Sequence, residues 1–142
     1  MNTARTQLLA IFAVLSFCVL LARADETAYA KILKERDVIL SQILTEREAR
    51  FSTGIGDDEA VLSARLALYS FRRDTAPAKA EKIKQQELIV VVFQKKLASV
   101  KGRAATGVTG PEEILLATDS LLQAQQTLEE LHLDTKSTVK YL

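Results

Sequence analysis

Residues 53–64 read TGIGDDEAVLSA and residues 106–117 read TGVTGPEEILLA, and one lies on the other without a gap at a spacing of 53 residues. Widened to 50–68 against 103–121, the match holds seven identities: Arg50/Arg103, Thr53/Thr106, Gly54/Gly107, Glu59/Glu112, Leu62/Leu115, Ala64/Ala117 and Leu68/Leu121. Ile55/Val108 and Val61/Ile114 are near-identities, and Leu44/Leu97, Leu40/Phe93 and Val38/Val91 carry the correspondence faintly backward. A repeat of this length is a supersecondary unit, and an internal repeat dominates the reading of a fold. The unit here is a helical hairpin.

Each repeated position has a mechanical role. Gly54 and Gly107 follow an apolar-periodic run, where a left-handed residue closes a helix and glycine takes that conformation without steric cost. Ile55 and Val108 come next, where a Schellman-type stop is expected to make an apolar contact. Asp57 then caps the returning helix, with Asp58 and Glu59 in its first turn. In the second copy Gly110 stands at the cap, Pro111 at the first helical position, and Glu112 and Glu113 face the helix dipole. Ala64 and Ala117 fall on the apolar seam a turn later, small enough for two helices to approach closely at the hairpin tip.

The rest of the chain carries helical periodicity. From Glu26 to Phe51, Leu33, Leu40, Leu44 and Phe51 form one stripe with Ile32, Ile39 and Ile43 beside it. From Asp58 to about Arg73, Val61, Ala64, Leu68 and Phe71 keep a strict seam. Pro77 breaks the chain, with Asp74 or Thr75 as cap of the next helix. The third segment, about Ala76 to Ala105, places Ile83, Val90, Phe93, Leu97, Val100 and Ala104 at heptad intervals. Within it LIVVVF, residues 88–93, reads equally as a buried strand by local propensity. Helix is expected because the charged flanks hold the helical period and a lone strand has no partner in the chain. A helix apolar all round should be the most buried one. The fourth segment, Pro111 to about Leu133, repeats the seam as Ile114, Ala117, Leu121, Ala124, Leu128 and Leu131, before a polar tail, 134–142, expected to fray.

The first 24 residues resemble a secretory signal. Arg5 supplies a positive start, Leu8–Ala22 is an uncharged apolar run of 15 residues, and Ala22-Arg23-Ala24 offers a small-x-small cleavage pattern, giving a mature start at Asp25. A span of the bilayer needs roughly 20 apolar residues, so anchoring through 8–22 is the weaker expectation. Phe17 before Cys18 argues against a lipid-modified cysteine. Loss of Arg5 and Arg23 leaves 17 of the 19 basic residues against 18 acidic ones. That balance, without basic-aromatic interleaving, gives no pull toward nucleic acid. Cys18 is the one cysteine, so residues 25–142 carry no disulfide and rely on an apolar core.

The phrase GVTGPEEILLATDSLLQAQQTL, Gly107 to Leu128, resembles the helical-hairpin repeat of the TolC-type outer-membrane efflux family. The matching residues are Gly107, Glu113, Ile114, Leu115, Ala117, Leu121, Leu122, Ala124 and Leu128, with Gly54, Val61, Leu62, Ala64 and Leu68 in the first copy. Duplicated hairpins are also a feature of that family. Its barrel strands, alternating segments of about 10 residues, have no counterpart here. The resemblance therefore implies a coiled-coil-like helical domain and not a channel.

Chemistry-bearing constellations are sparse. His132 is the sole histidine, with Glu129 three residues back, and one such pair makes a weak metal site. A surface histidine at a helix C-terminus explains it better. Residues 25–142 hold no Met and no Cys, so haem has neither a Met axial ligand nor a Cys-x-x-Cys-His attachment and is close to excluded, and di-iron bundles require two Glu-x-x-His motifs. Tyr29, Tyr69 and Phe71 read as packing rather than a ligand pocket. Arg72/Arg73 and Lys95/Lys96 read as solvated faces. No catalytic residue, cofactor or small-molecule substrate is expected.

The expected architecture is all-α: an antiparallel four-helix bundle of two tandem hairpins, about 26–75 and 76–133, after the signal segment 1–24. The first and third helices are expected to exceed the second and fourth by about two turns or more, and to carry self-association or a protein partner on their surplus apolar surface. The expected role is a non-enzymatic periplasmic or secreted interaction protein or structural accessory of the cell envelope, touching membrane only through an uncleaved signal segment. The alternative is a small periplasmic stress chaperone or metal-responsive sensor of the Spy and CpxP kind. The Leu-Thr-x-x-Gln phrase of those proteins is absent, since Leu44-Thr45-Glu46-Arg47 is followed by Glu48.

Overall fold

The computed structural model describes the backbone of residues 3–139 and the side chains of residues 28–133. It is all-helical, with α1 Thr3–Ser52, α2 Asp58–Thr75, α3 Lys79–Ala105 and α4 Pro111–Val139, and no strand among the described residues. The chain divides into two compact units, residues 1–36 and 37–142. The first is the leading part of α1. The side chains of the apolar run Leu8–Ala22, Cys18 and the expected cleavage site after Ala24 lie outside the described residues. Among those that are described, no helix is long and apolar enough to cross a membrane.

Within residues 37–142 the start of α2 meets the end of α3, where Glu59 pairs with Lys96 at 3.3 Å and Arg103 at 3.5 Å. The end of α2 meets the start of α3, where Arg73 Nη1 donates to Gln86 Oε1 at 2.8 Å. α4 packs along α3 on its other side, so that among the described residues the backbones of α2 and α4 both lie against α3 and not against each other. That position explains why LIVVVF is helical. Ile89, Val90 and Val92 are buried, and only Val91 of the run's valines is exposed. β-branched residues cost a helix a few tenths of a kcal/mol each, which burial of this size outweighs. Ile89, Val90 and Ala124 form the centre of the core, with Leu66, Tyr69, Phe93, Leu121 and Leu128 packed around it.

The seams of α2 and α4 are placed as the periodicity implies. Val61, Ala64, Leu68 and Phe71 are buried on α2, and Ala117 and Ala124 on α4. Five details differ from expectation. α2 runs on through Asp74 to Thr75, and the N-cap of α3 is Ala78, with no side-chain cap bond. Thr75 instead donates to the Phe71 carbonyl, and Asp74 pairs with Arg73, so both side chains are used at the end of α2. Ala76 takes the extended conformation that Pro77 imposes on the residue before it. α4 continues through the polar tail to Val139, and its 29 residues match the 27 of α3, so the expected shortness of the fourth helix is not found. α1 has no buried residue between positions 28 and 52: Leu33, Leu40 and Leu44 are half-buried while Ile32, Ile39, Ile43 and Phe51 are exposed.

Candidate functional site

The repeated phrase forms two equivalent turns. Gly54 and Gly107 both have φ of 74°, and no other residue with positive φ occurs among those described. Gly54 N–H donates to Phe51 O at 3.0 Å and Ile55 N–H to Arg50 O at 3.0 Å; Gly107 N–H donates to Ala104 O at 3.0 Å and Val108 N–H to Arg103 O at 2.9 Å. This paired pattern is the Schellman stop, in both copies. Thr53 and Thr106 have a role that sequence reading passed over: each hydroxyl donates to the carbonyl three residues back, of Arg50 and Arg103, at 2.9 Å. A helix-forming sequence followed by Thr-Gly is the signal that was available.

An added Cβ meets nothing within 4 Å at either glycine, so backbone strain alone opposes substitution. Gly54→Ala and Gly107→Ala are each expected to lower stability by about 1–2 kcal/mol, the cost of a left-handed non-glycine residue. Urea titration of both variants should return equal losses.

The expected apolar clamp is not made. Ile55 is 81% exposed and Val108 71%, because each turn is closed by its own backbone and no neighbouring helix covers it. On the returning side, Asp57 caps α2 by accepting from Ala60 N–H at 2.6 Å. Pro111 opens α4 with Glu112 and Glu113 in the first turn. Glu59 does more than complement the dipole, since it also holds Lys96 and Arg103.

Charged pairs fasten the helices at several levels. Arg65 on α2 donates from Nε and Nη2 to Glu48 Oε1 on α1, at 3.1 and 2.6 Å. Arg72 clasps Asp37 with two bonds, of 2.7 and 2.9 Å, and reaches Ser41 Oγ at 3.1 Å. Gln86, 1% exposed, accepts from Arg73 and donates from Nε2 to the Ala124 carbonyl at 2.7 Å, so one amide joins α2, α3 and α4. The reading of Arg72/Arg73 and Lys95/Lys96 as solvated faces is therefore corrected for Arg72, Arg73 and Lys96, which all make interhelical bonds. Among the described residues, two buried polar atoms lack a partner, Gln85 Oε1 and Arg103 Nε.

The hydrogen bonds from Arg72 hold the Asp37 carboxyl below the usual carboxylate range, against the opposing cost of burial. Its folded-state pKa is depressed, so its contribution is present above the unfolded value near pH 4 and is lost as pH falls through the folded value. Both side chains are about a third exposed, which limits the contribution to about 1 kcal/mol or less. Asp37→Asn is expected to flatten the acid limb of thermal stability below about pH 4 relative to the unsubstituted chain. Melting curves from pH 7 down to 2 measure this.

Because α2 and α4 share α3 and not each other, an open groove runs over α3. One stretch, of about 340 Å³, lies at the tip end between Glu59, Lys96, Val100, Arg103, Ala117 and Leu116. A second, of about 280 Å³, lies between Leu66, Arg73, Gln86, Ile89, Phe93 and Ala124. Ser120 lines both, so they are parts of one groove, and α1 lines neither.

The remaining candidates do not assemble into a site. His132 is half-buried, and among the described residues no group of three or more His, Cys, Asp or Glu could hold a metal. Tyr29 is exposed, Tyr69 packs on the core and Phe71 is buried, and none lines the groove. The surplus apolar surface lies on α1 and α4, where Ile39, Ile43, Leu115, Leu116 and Leu122 are exposed, and not on α1 and α3 as expected. α3 is covered on two sides, by α2 and α4, whereas α1 between positions 28 and 52 has no buried residue. Comparison with protein-family models, curated proteins and solved structures gives no match.

Proposed function

We propose that the chain is a non-enzymatic helical interaction module, an antiparallel four-helix arrangement of two hairpins that serves as a structural accessory in the cell envelope. One observation supports this above others: the molecule offers an open groove over α3 and exposed apolar helix faces on α1 and α4. Helices that leave such faces unpartnered take up other helices in grooves. Export is proposed from Arg5, the apolar run and Ala22-Arg23-Ala24. The hairpin phrase Gly107–Leu128 adds a likeness to TolC-type helical repeats, and helix-to-helix association fits that likeness.

The test is capture of the tagged full-length chain from envelope extract. A complex of fixed stoichiometry that survives gel filtration is expected. Suppression of client aggregation at sub-stoichiometric dose, with no such complex, would replace the module by a stress chaperone.

A further inference from the structure

From Pro111 to Leu133, α4 carries Glu112, Glu113, Asp119, Glu129 and Glu130 and no Lys or Arg. Glu113 belongs to the groove, which it lines together with Lys96 and Arg103. The other four are exposed, and among the described residues none of them pairs with a cation. Two of them are held by neutral amides instead: Gln123 Nε2 donates to Asp119 Oδ2 at 2.7 Å, and Gln126 Nε2 to Glu130 Oε1 at 2.9 Å. α1 differs, because exposed charges on it pair along the helix, Lys31 with Glu35 and Arg50 with Glu46. The outward charge of α4 is left uncompensated within the described chain.

The same face carries large apolar side chains. Leu115 is 70% exposed and Leu122 57%, and the row Leu115, Asp119, Leu122, Gln126, Glu130 keeps the three-and-four spacing of one helix face. Ala117 and Ala124 are buried on the opposite side of the helix, so this row points away from α3. It is roughly 22 Å long at 1.5 Å per residue. Resting on the interaction-module reading, we infer that α4 docks a cationic amphipathic helix of a partner protein, about four turns long. Its apolar seam covers Leu115 and Leu122, and its Lys or Arg side chains meet Glu112, Asp119, Glu129 and Glu130. Apolar burial supplies the affinity, and the charges select the partner and speed its approach. An anionic membrane surface is repelled by the same carboxylates. A second copy meeting α4 with α4 sets carboxylate against carboxylate, which disfavours that pairing.

The probes are two synthetic four-turn peptides with Leu at the seam positions of a heptad, one with Lys and one with Glu at the flanking positions. Each is titrated into the purified full-length chain by calorimetry. The Lys peptide is expected to bind one to one, more weakly as salt rises from about 0.01 M to 1 M, and the Glu peptide not to bind. Leu115→Ser/Leu122→Ser and Asp119→Asn/Glu130→Gln, all exposed positions, should each weaken the Lys peptide by about tenfold or more with unchanged helical circular dichroism. No binding of the Lys peptide, equal binding of both peptides, or an affinity that either variant leaves unchanged would overturn the inference. So would sedimentation at twice the monomer mass that Leu115→Ser/Leu122→Ser returns to the monomer mass. A chain that takes no Lys peptide yet enters a stoichiometric envelope complex sinks the α4 site and keeps the module reading. A chain that takes the peptide on α4 and engages no envelope protein keeps the site and removes the accessory role.

Discussion

Replacing Ile89 by Ala is expected to lower stability by about 2–5 kcal/mol, the range for large-to-small changes at buried aliphatic sites. Ile89 is 3% exposed and sits where α2, α3 and α4 meet, against Val90 and Ala124 with Leu66, Tyr69, Phe93, Leu121 and Leu128 around them. A cavity there touches every helix of the core, and collapse of one wall cannot close it. Alanine recovers only a few tenths of a kcal/mol in helix propensity. Ile89→Val removes one methylene and should cost about 0.5–1.5 kcal/mol. Urea unfolding of both variants measures the difference, and a loss from Ile89→Ala below that from Ile89→Val would show that this is not the centre of the core.

The second large effect is an asymmetry between the partners of one hydrogen bond. Arg73→Ala leaves Gln86 Oε1 buried with no donor, so a loss of about 1–3 kcal/mol is expected. Gln86→Leu removes the buried amide itself and fills most of its volume. The Ala124 carbonyl that it releases lies inside α4, and Arg73 is open enough to turn to water. Gln86→Leu should therefore cost less than Arg73→Ala, although Gln86 is the more buried residue. The double variant should be more stable than Arg73→Ala alone. A double-mutant cycle read by thermal unfolding measures the coupling, and additive losses would show that the two side chains act separately.

Local backbone structure was legible in the sequence where one residue type suffices to produce it. Gly54 and Gly107 announce left-handed stops, Asp57 a cap, and Pro111 a helix start, because each depends on neighbours a few positions away. The seam of α2 was legible for a similar reason, since Val61, Ala64, Leu68 and Phe71 share one face whatever that face meets. What each helix meets was not legible. Leu62 and Leu115 are repeat equivalents, yet Leu62 is buried and Leu115 exposed. α2 lies within the array and α4 at its edge, and no periodicity records that difference. The groove is the same kind of fact, a product of α2 and α4 both choosing α3. Arg72 and Arg73 were missed because their partners, Asp37 and Gln86, lie 35 and 13 residues away.

The two turns close on their own backbone and leave Ile55 and Val108 bare. A turn that borrows nothing from its surroundings can be copied into a new place without being redesigned, which is what duplication of a hairpin demands. It also tolerates helices of changed length behind it, provided whole heptads are added to both arms so that the seam returns to register. The tip can thus stay as it is while the helix flanks behind it lengthen and meet new neighbours.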